Sequence, residues 1–104
     1  MSMNNTITTS IRCSGDEHEK FSLVAENRGI TVINLINKAV ENHLPLKKID
    51  FIDRAEIRDK TLGASLPQGL RRLINKDKKR LTSPFEAVRL YHVVLTALMM
   101  ECGV

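Results

Sequence analysis

The chain opens on an alternation. From Thr6 to Cys13 (TITTSIRC), Ile7, Thr9, Ile11 and Cys13 fall on one side of a period-two segment and Thr8, Ser10 and Arg12 on the other. This is the pattern of a short strand with one face for a core and one for solvent. The period then lengthens to that of a helix. Ser14 stands three residues before Glu17, the arrangement in which each side chain satisfies a free backbone N–H at a helix start. Phe21, Val24, Ala25 and Arg28 follow at spacings of three and four, a single apolar stripe that stops at Gly29. Asp16, Glu17 and Glu19 in the first turn suit the positive end of the helix dipole. Thr31 is a good N-cap for a second helix running from about Val32 to His43, in which Val32, Leu35, Ile36, Ala39 and Val40 recur at helical spacing and Ile33 widens the apolar arc. Leu44-Pro45 closes it, because proline disfavours helical geometry in the residue before it.

Beyond Pro45 the pattern predicts more helix. Residues 47–62 place Phe51, Ala55 and Leu62 on one side and Ile49, Ile52 and Glu56 beside them, ending at Gly63. Ser65-Leu66-Pro67-Gln68 is a further start signal, after which Leu66, Leu70, Leu73, Ile74, Asp77 and Leu81 trace a stripe with one charged lapse. Ser83-Pro84-Phe85-Glu86 starts the last helix, which from Phe85 to Cys102 is apolar over most of its circumference. No internal repeat or low-complexity tract stands out. Residues 1–5 are polar and unpatterned, the expected composition of a mobile arm.

A lone exposed strand needs a partner strand, and the second helix is apolar over a wider arc than the small first helix can cover. Strand, helix, short turn and helix within about forty residues, read with the sequence IRCSGDEHEKFSLVAENRGITVINLINKAVENHL over residues 11–44, resemble the ribbon-helix-helix proteins of MetJ/Arc type. The most telling part is Ala25-Glu26-Asn27-Arg28-Gly29 followed by Ile30-Thr31-Val32. The resemblance covers Thr6 to Leu44, less than half of the chain. It implies a mainly α fold with an N-terminal module, residues 6–45, in which two chains pair one strand each into an antiparallel ribbon over intertwined helices. Residues 46–104 would then be a helical region of two or three helices that assembles dimers or binds a partner.

Composition narrows the function classes. The chain has 104 residues and a formal charge of +4, which permits a polyanion partner without demanding one. Four basic side chains against five acidic leave residues 1–45 at −1, whereas twelve against seven leave residues 46–104 at +5. No segment is apolar for the roughly 20 residues that cross a bilayer and none resembles a signal peptide, so a cytoplasmic protein with no membrane partner is expected. Cys13 and Cys102 lie at opposite ends without paired spacing and read as reduced, buried side chains. His18, His43 and His92 form no ligand pattern, and no phosphate loop, nucleophile elbow or acid/base carboxylate pair is present. Neither metal, cofactor nor enzymatic activity is expected.

The chemistry that the ribbon-helix-helix resemblance implies is recognition of double-stranded DNA. The resemblance assigns base contacts to Thr8, Ser10 and Arg12. Arg12 has the geometry to donate two bonds to guanine O6 and N7, while the two hydroxyls serve more than one base. It assigns a DNA phosphate to the hydroxyl of Thr31 and the free N–H groups of Thr31 and Val32, although simple capping accounts for Thr31 equally well. Arg71, Arg72, Lys76, Lys78, Lys79 and Arg80 are candidates for accessory phosphate contacts, with a solvated helix face as the ordinary explanation of such a run. The expectation is a sequence-specific DNA-binding homodimer or higher oligomer, a transcriptional repressor, with the apolar last helix as the contact that would join dimers into tetramers. Two alternatives stand beside it: an antitoxin whose C-terminal region covers a toxin, and a plasmid or phage DNA-processing accessory of relaxosome or partition type.

Overall fold

A computed structural model of the chain describes residues 6–47, 57–81 and 89–103. The first strand and both helices before Pro45 form where the pattern puts them. Strand β1 spans Thr6–Cys13, helix α1 Gly15–Arg28 and helix α2 Val32–His43. The Ser14 hydroxyl accepts from Glu17 N at 3.1 Å while the Glu17 carboxylate accepts from Ser14 N at 2.7 Å, closing the expected reciprocal cap. Gly29 takes φ 67° at the end of α1, a left-handed conformation open to glycine at no steric cost. The Thr31 hydroxyl accepts from Asn34 N at 3.1 Å and starts α2.

The partner of β1 is the main correction. Strand β2, Lys60–Pro67, pairs antiparallel with β1 within the same chain, from Thr6 opposite Pro67 to Cys13 opposite Lys60. The ribbon expected from two copies is thus built by one. The helix expected over residues 47–62 is likewise absent where it can be followed: residues 57–59 have no regular structure and Lys60 begins the strand. Its remainder, residues 48–56, lies outside the described residues, as do the N-terminal arm and the Ser83-Pro84-Phe85-Glu86 start. The physical reason lies in the spacing of Leu62, Ala64 and Leu66, which are buried at every second position while Thr61 and Gly63 are exposed. That alternation fits a strand and not a helix, and pairing satisfies the backbone groups that β1 would otherwise present as an open edge.

Helix α3, Gln68–Leu81, begins three residues after Ser65, which belongs to β2; Pro67, lacking an N–H, ends the strand. The charged lapse in its stripe has a partner. Asp77 is 3% exposed, and its Oδ2 accepts from Leu46 N at 2.7 Å. Arg80 donates to Asp77 Oδ1 at 3.2 Å and to the Leu46 carbonyl, so the two side chains clamp the chain just after Pro45. Helix α4 spans Leu90–Cys102 and ends at Gly103 with φ 73°. It begins later than the Phe85 start expected from the pattern, because Arg89 is extended, with φ −95° and ψ 161°.

The last helix finds its several-sided burial inside the chain. His92 to Met99 are all buried, and α4 packs most extensively against α2, with further contacts to α3, β1 and α1. The apolar face of α2, Leu35, Ile36, Ala39 and Val40, is buried in the same cluster as Val93, Val94, Leu95, Ala97 and Leu98. The surface that pointed to a second subunit is therefore covered by the chain's own second half. Residues on both sides of Pro45 share one core with Ile11, Cys13, Phe21, Leu62, Leu66 and Ile74.

Among the described residues the order strand, helix, helix thus occurs twice. Four buried positions of the first unit, Ile11, Cys13, Glu17 and Phe21, have buried counterparts at Ala64, Leu66, Leu70 and Ile74, each 53 positions later.

Candidate nucleic-acid interface

The two strands present one polar face. Ser10 and Arg12 are outward positions of β1, Thr8 shares their register row two residues before Ser10, and the pairing sets Thr8, Ser10 and Arg12 opposite Ser65, Gly63 and Thr61. Ser10, Arg12, Thr61 and Gly63 are exposed and Ser65 is half-buried. The inward positions Ile11, Cys13, Leu62, Ala64 and Leu66 enter the core, which holds the ribbon against the helices. The outward row carries hydroxyls and a single guanidinium, that of Arg12. Thr61, Gly63 and Ser65 were not expected at this face. Their signal was present in the alternation of Leu62, Ala64 and Leu66, but a helical reading of residues 47–62 overlay it.

An ion pair pins the far end of this ribbon. Arg58, two residues before β2, donates from Nε to Glu17 Oε1 and from Nη2 to Glu17 Oε2, both at 3.2 Å, with side chains 6% and 9% exposed. The carboxylate that caps α1 is therefore also the anchor for the approach to β2. Cys13, fully buried beside it, has its thiol pushed up to about 11, first by burial and then by the Glu17 carboxylate. Such a thiol stays protonated and inert. The Cys102 thiol is also raised by burial.

The phosphate candidates separate into three groups. Thr31 is exposed at the start of α2 and uses its oxygen as an acceptor for Asn34 N, which leaves its hydroxyl proton to donate; Val32 is half-buried against the core. On α3, Arg72, Lys76 and Lys79 are exposed and line one groove with Asn75. Arg71 and Lys78 are half-buried on the same helix, and Arg80 is engaged in the clamp on Leu46. The basic run is thus not one surface. Three of its six members, Arg72, Lys76 and Lys79, share one groove.

A second polar cluster ties helix ends and lies apart from the ribbon in sequence. Glu101 near the end of α4 accepts from Arg28 Nη1 at 2.6 Å and Asn42 Nδ2 at 3.1 Å, and its Oε1 lies 2.9 Å from His43 Nε2. Arg28 also donates to the Glu101 carbonyl at 3.0 Å. The Arg28 hydrogen bond, followed by that from Asn42, holds the Glu101 carboxyl at about 2, against the opposing effect of burial. The three partners fasten the ends of α1, α2 and α4 together.

Among the described residues no group of His, Cys, Asp and Glu is arranged to hold a metal ion, and no helix is long and apolar enough to cross a membrane. Compared with protein families, curated proteins and solved structures, the chain matches none of them.

Proposed function

We propose that this chain is a sequence-specific double-stranded DNA-binding protein of ribbon-helix-helix type, acting as a transcriptional repressor, in which one chain supplies both strands of the groove-reading ribbon. One observation carries the reading: a two-stranded antiparallel sheet whose inner face is buried on helices and whose outer face bears Ser10, Arg12 and Thr61 to solvent. A two-stranded ribbon fits the width of the major groove, and hydroxyl and guanidinium groups are the donors that base edges there accept. Arg12 is the base-reading residue of greatest weight. Thr31 and the Arg72, Lys76, Lys79 groove supply phosphate contacts that hold the protein on the duplex without reading it.

The internal pairing also bears on the alternatives. A tail that exists to cover a toxin would leave its apolar surface for that partner, whereas here α4 is buried in the chain's own core. This favours DNA recognition by the whole chain over neutralisation by its second half.

The test is binding to a site selected from randomised duplex DNA. Arg12→Ala is expected to lose about 1 to 3 kcal/mol of preference for that site and to leave the thermal melting of the protein unchanged. Replacing Arg72, Lys76 and Lys79 together by Ala is expected to weaken all sequences alike and to flatten the dependence of binding on salt. If no duplex sequence is enriched, or if Arg12→Ala binds the selected site as well as the parent, the reading fails.

A further inference from the structure

The two strands that form the ribbon are related by position but not by side chain. With the 53-residue offset of the buried positions, Thr8, Ser10 and Arg12 correspond to Thr61, Gly63 and Ser65. The register pairs Thr8 with Ser65, Ser10 with Gly63 and Arg12 with Thr61. These relations define a local two-fold axis through the Ser10 and Gly63 pair. It exchanges Thr8 with Thr61, and Arg12 with Ser65. The ribbon thus keeps a threonine on both sides of the axis, but a long bidentate donor stands at one end and a short hydroxyl at the other. The same offset sets Arg72, Lys76 and Lys79 of α3 at the places held by Glu19, Leu23 and Glu26 of α1. Counting charges, α3 carries six basic side chains and one acidic, +5, whereas α1 carries two basic and four acidic, −2. Whatever flank of a ligand α1 approaches, α3 approaches the related one with the opposite charge.

A symmetric protein mirrors its two-fold axis in a palindromic site, because each half meets the same bases. Here the axis is kept by the backbone and broken by the side chains. Resting on the DNA-binding reading above, we propose that the ribbon recognises a duplex site without two-fold symmetry, one chain to a site, with Arg12 specifying guanine on one side only and Ser65 leaving the related position unspecified. Arg12 and Ser65 lie four residues apart along the ribbon, roughly 13 Å at the usual strand rise. The specified and unspecified positions are therefore about four base pairs apart, at 3.4 Å per base pair along each strand. Arg12 is thus the residue that fixes the direction in which the chain lies on DNA.

The experiment is selection of bound duplexes from a random library by the full chain, with the mass of the complex giving its stoichiometry. The expected outcome is a motif with one strongly specified guanine contact off its centre, no equivalent at the dyad-related position, and one chain bound. Inverting the two sides of the motif relative to the fixed flanking DNA should reverse the orientation of the bound chain. Ser65→Arg should add a guanine preference of roughly 5- to 150-fold at the related position, turning the preferred site towards a palindrome. The unsubstituted protein decides the matter even if that variant folds poorly. A palindromic motif with guanine specified equally on both sides, or two chains on one ribbon site, overturns this inference while leaving sequence-specific DNA binding in place. Failure to enrich any motif overturns the DNA-binding reading itself, and this inference with it.

Discussion

Arg58→Met is the substitution that most directly tests how one chain closes its own ribbon. Methionine keeps much of the volume of the arginine stem and removes the guanidinium, so the loss is electrostatic and not a cavity. The pair it breaks has two contacts of 3.2 Å between side chains that are 6% and 9% exposed. Breaking a fully buried pair by removing one partner costs about 3 to 5 kcal/mol, because the remaining charge is left without compensation. Glu17 is left with some compensation: Ser14 N still donates at 2.7 Å, and the carboxylate sits in the first turn of α1, where the helix dipole contributes about 0.3 to 1 kcal/mol. The expected destabilisation is therefore about 2 to 3 kcal/mol, read as a shift in the urea midpoint with an unchanged slope. Glu17→Gln keeps an acceptor for Ser14 N and removes the charge, so the double variant should recover most of the loss made by Arg58→Met alone. A double-mutant cycle separates this pair from the other interactions Arg58 makes. A cost below about 0.5 kcal/mol, the value for an exposed pair, or strictly additive effects, would refute the argument that this contact anchors the approach to β2.

Three further outcomes follow from the same geometry. Glu101 has its carboxyl lowered from 4.5 to about 2, so its contribution is whole above about pH 4.5 and is lost as the pH falls towards 2. Because Arg28 is 38% exposed, the worth at neutral pH is discounted for solvent screening to about 1 kcal/mol; Glu101→Gln should show that deficit at pH 7 in chemical unfolding and converge on the parent as the medium is acidified. Thr31→Ala removes the acceptor for Asn34 N and should cost about 1 kcal/mol of stability, while Thr31→Ser retains the cap, which melting curves of the two will separate. Asp77→Ala removes the acceptor for Leu46 N and a partner of Arg80, and should destabilise by about 1 to 3 kcal/mol in the same unfolding assay.

What was legible in the sequence was local. The reciprocal cap of Ser14 and Glu17, the glycine stop at Gly29, the Thr31 cap and the bounds of α1 and α2 depend on residues within four positions of one another, and the structure carries them as read. The two faces of TITTSIRC were equally local. Over residues 57–67 local signals competed: a helical stripe through Leu62 and a start signal at Ser65 overlay the period-two burial of Leu62, Ala64 and Leu66. Pairing decided between them, because β1 offers an edge whose backbone groups need partners, and no propensity of the isolated segment records that edge.

The repetition of strand, helix and helix escaped the sequence for a related reason. Equivalent places carry Ile11 and Ala64, Glu17 and Leu70, or Phe21 and Ile74, residues alike in burial but not in identity. Burial is a property of the folded chain, so the equivalence becomes visible only when both halves are seen against one core. The same holds for the apolar last helix. Its composition required burial on several sides, and that requirement is the sequence's own; whether a second subunit or the chain itself would meet it depended on whether α2 and α4 could be brought together. The tertiary structure decides for the chain, since β1 and β2 pair and thereby bring the two helix pairs onto one core. Of the polar face of the two strands, the alternation of TITTSIRC alone placed Thr8, Ser10 and Arg12 together, because strand alternation needs no partner; the opposite row of Thr61, Gly63 and Ser65 joins them only through hydrogen bonds between residues more than forty positions apart.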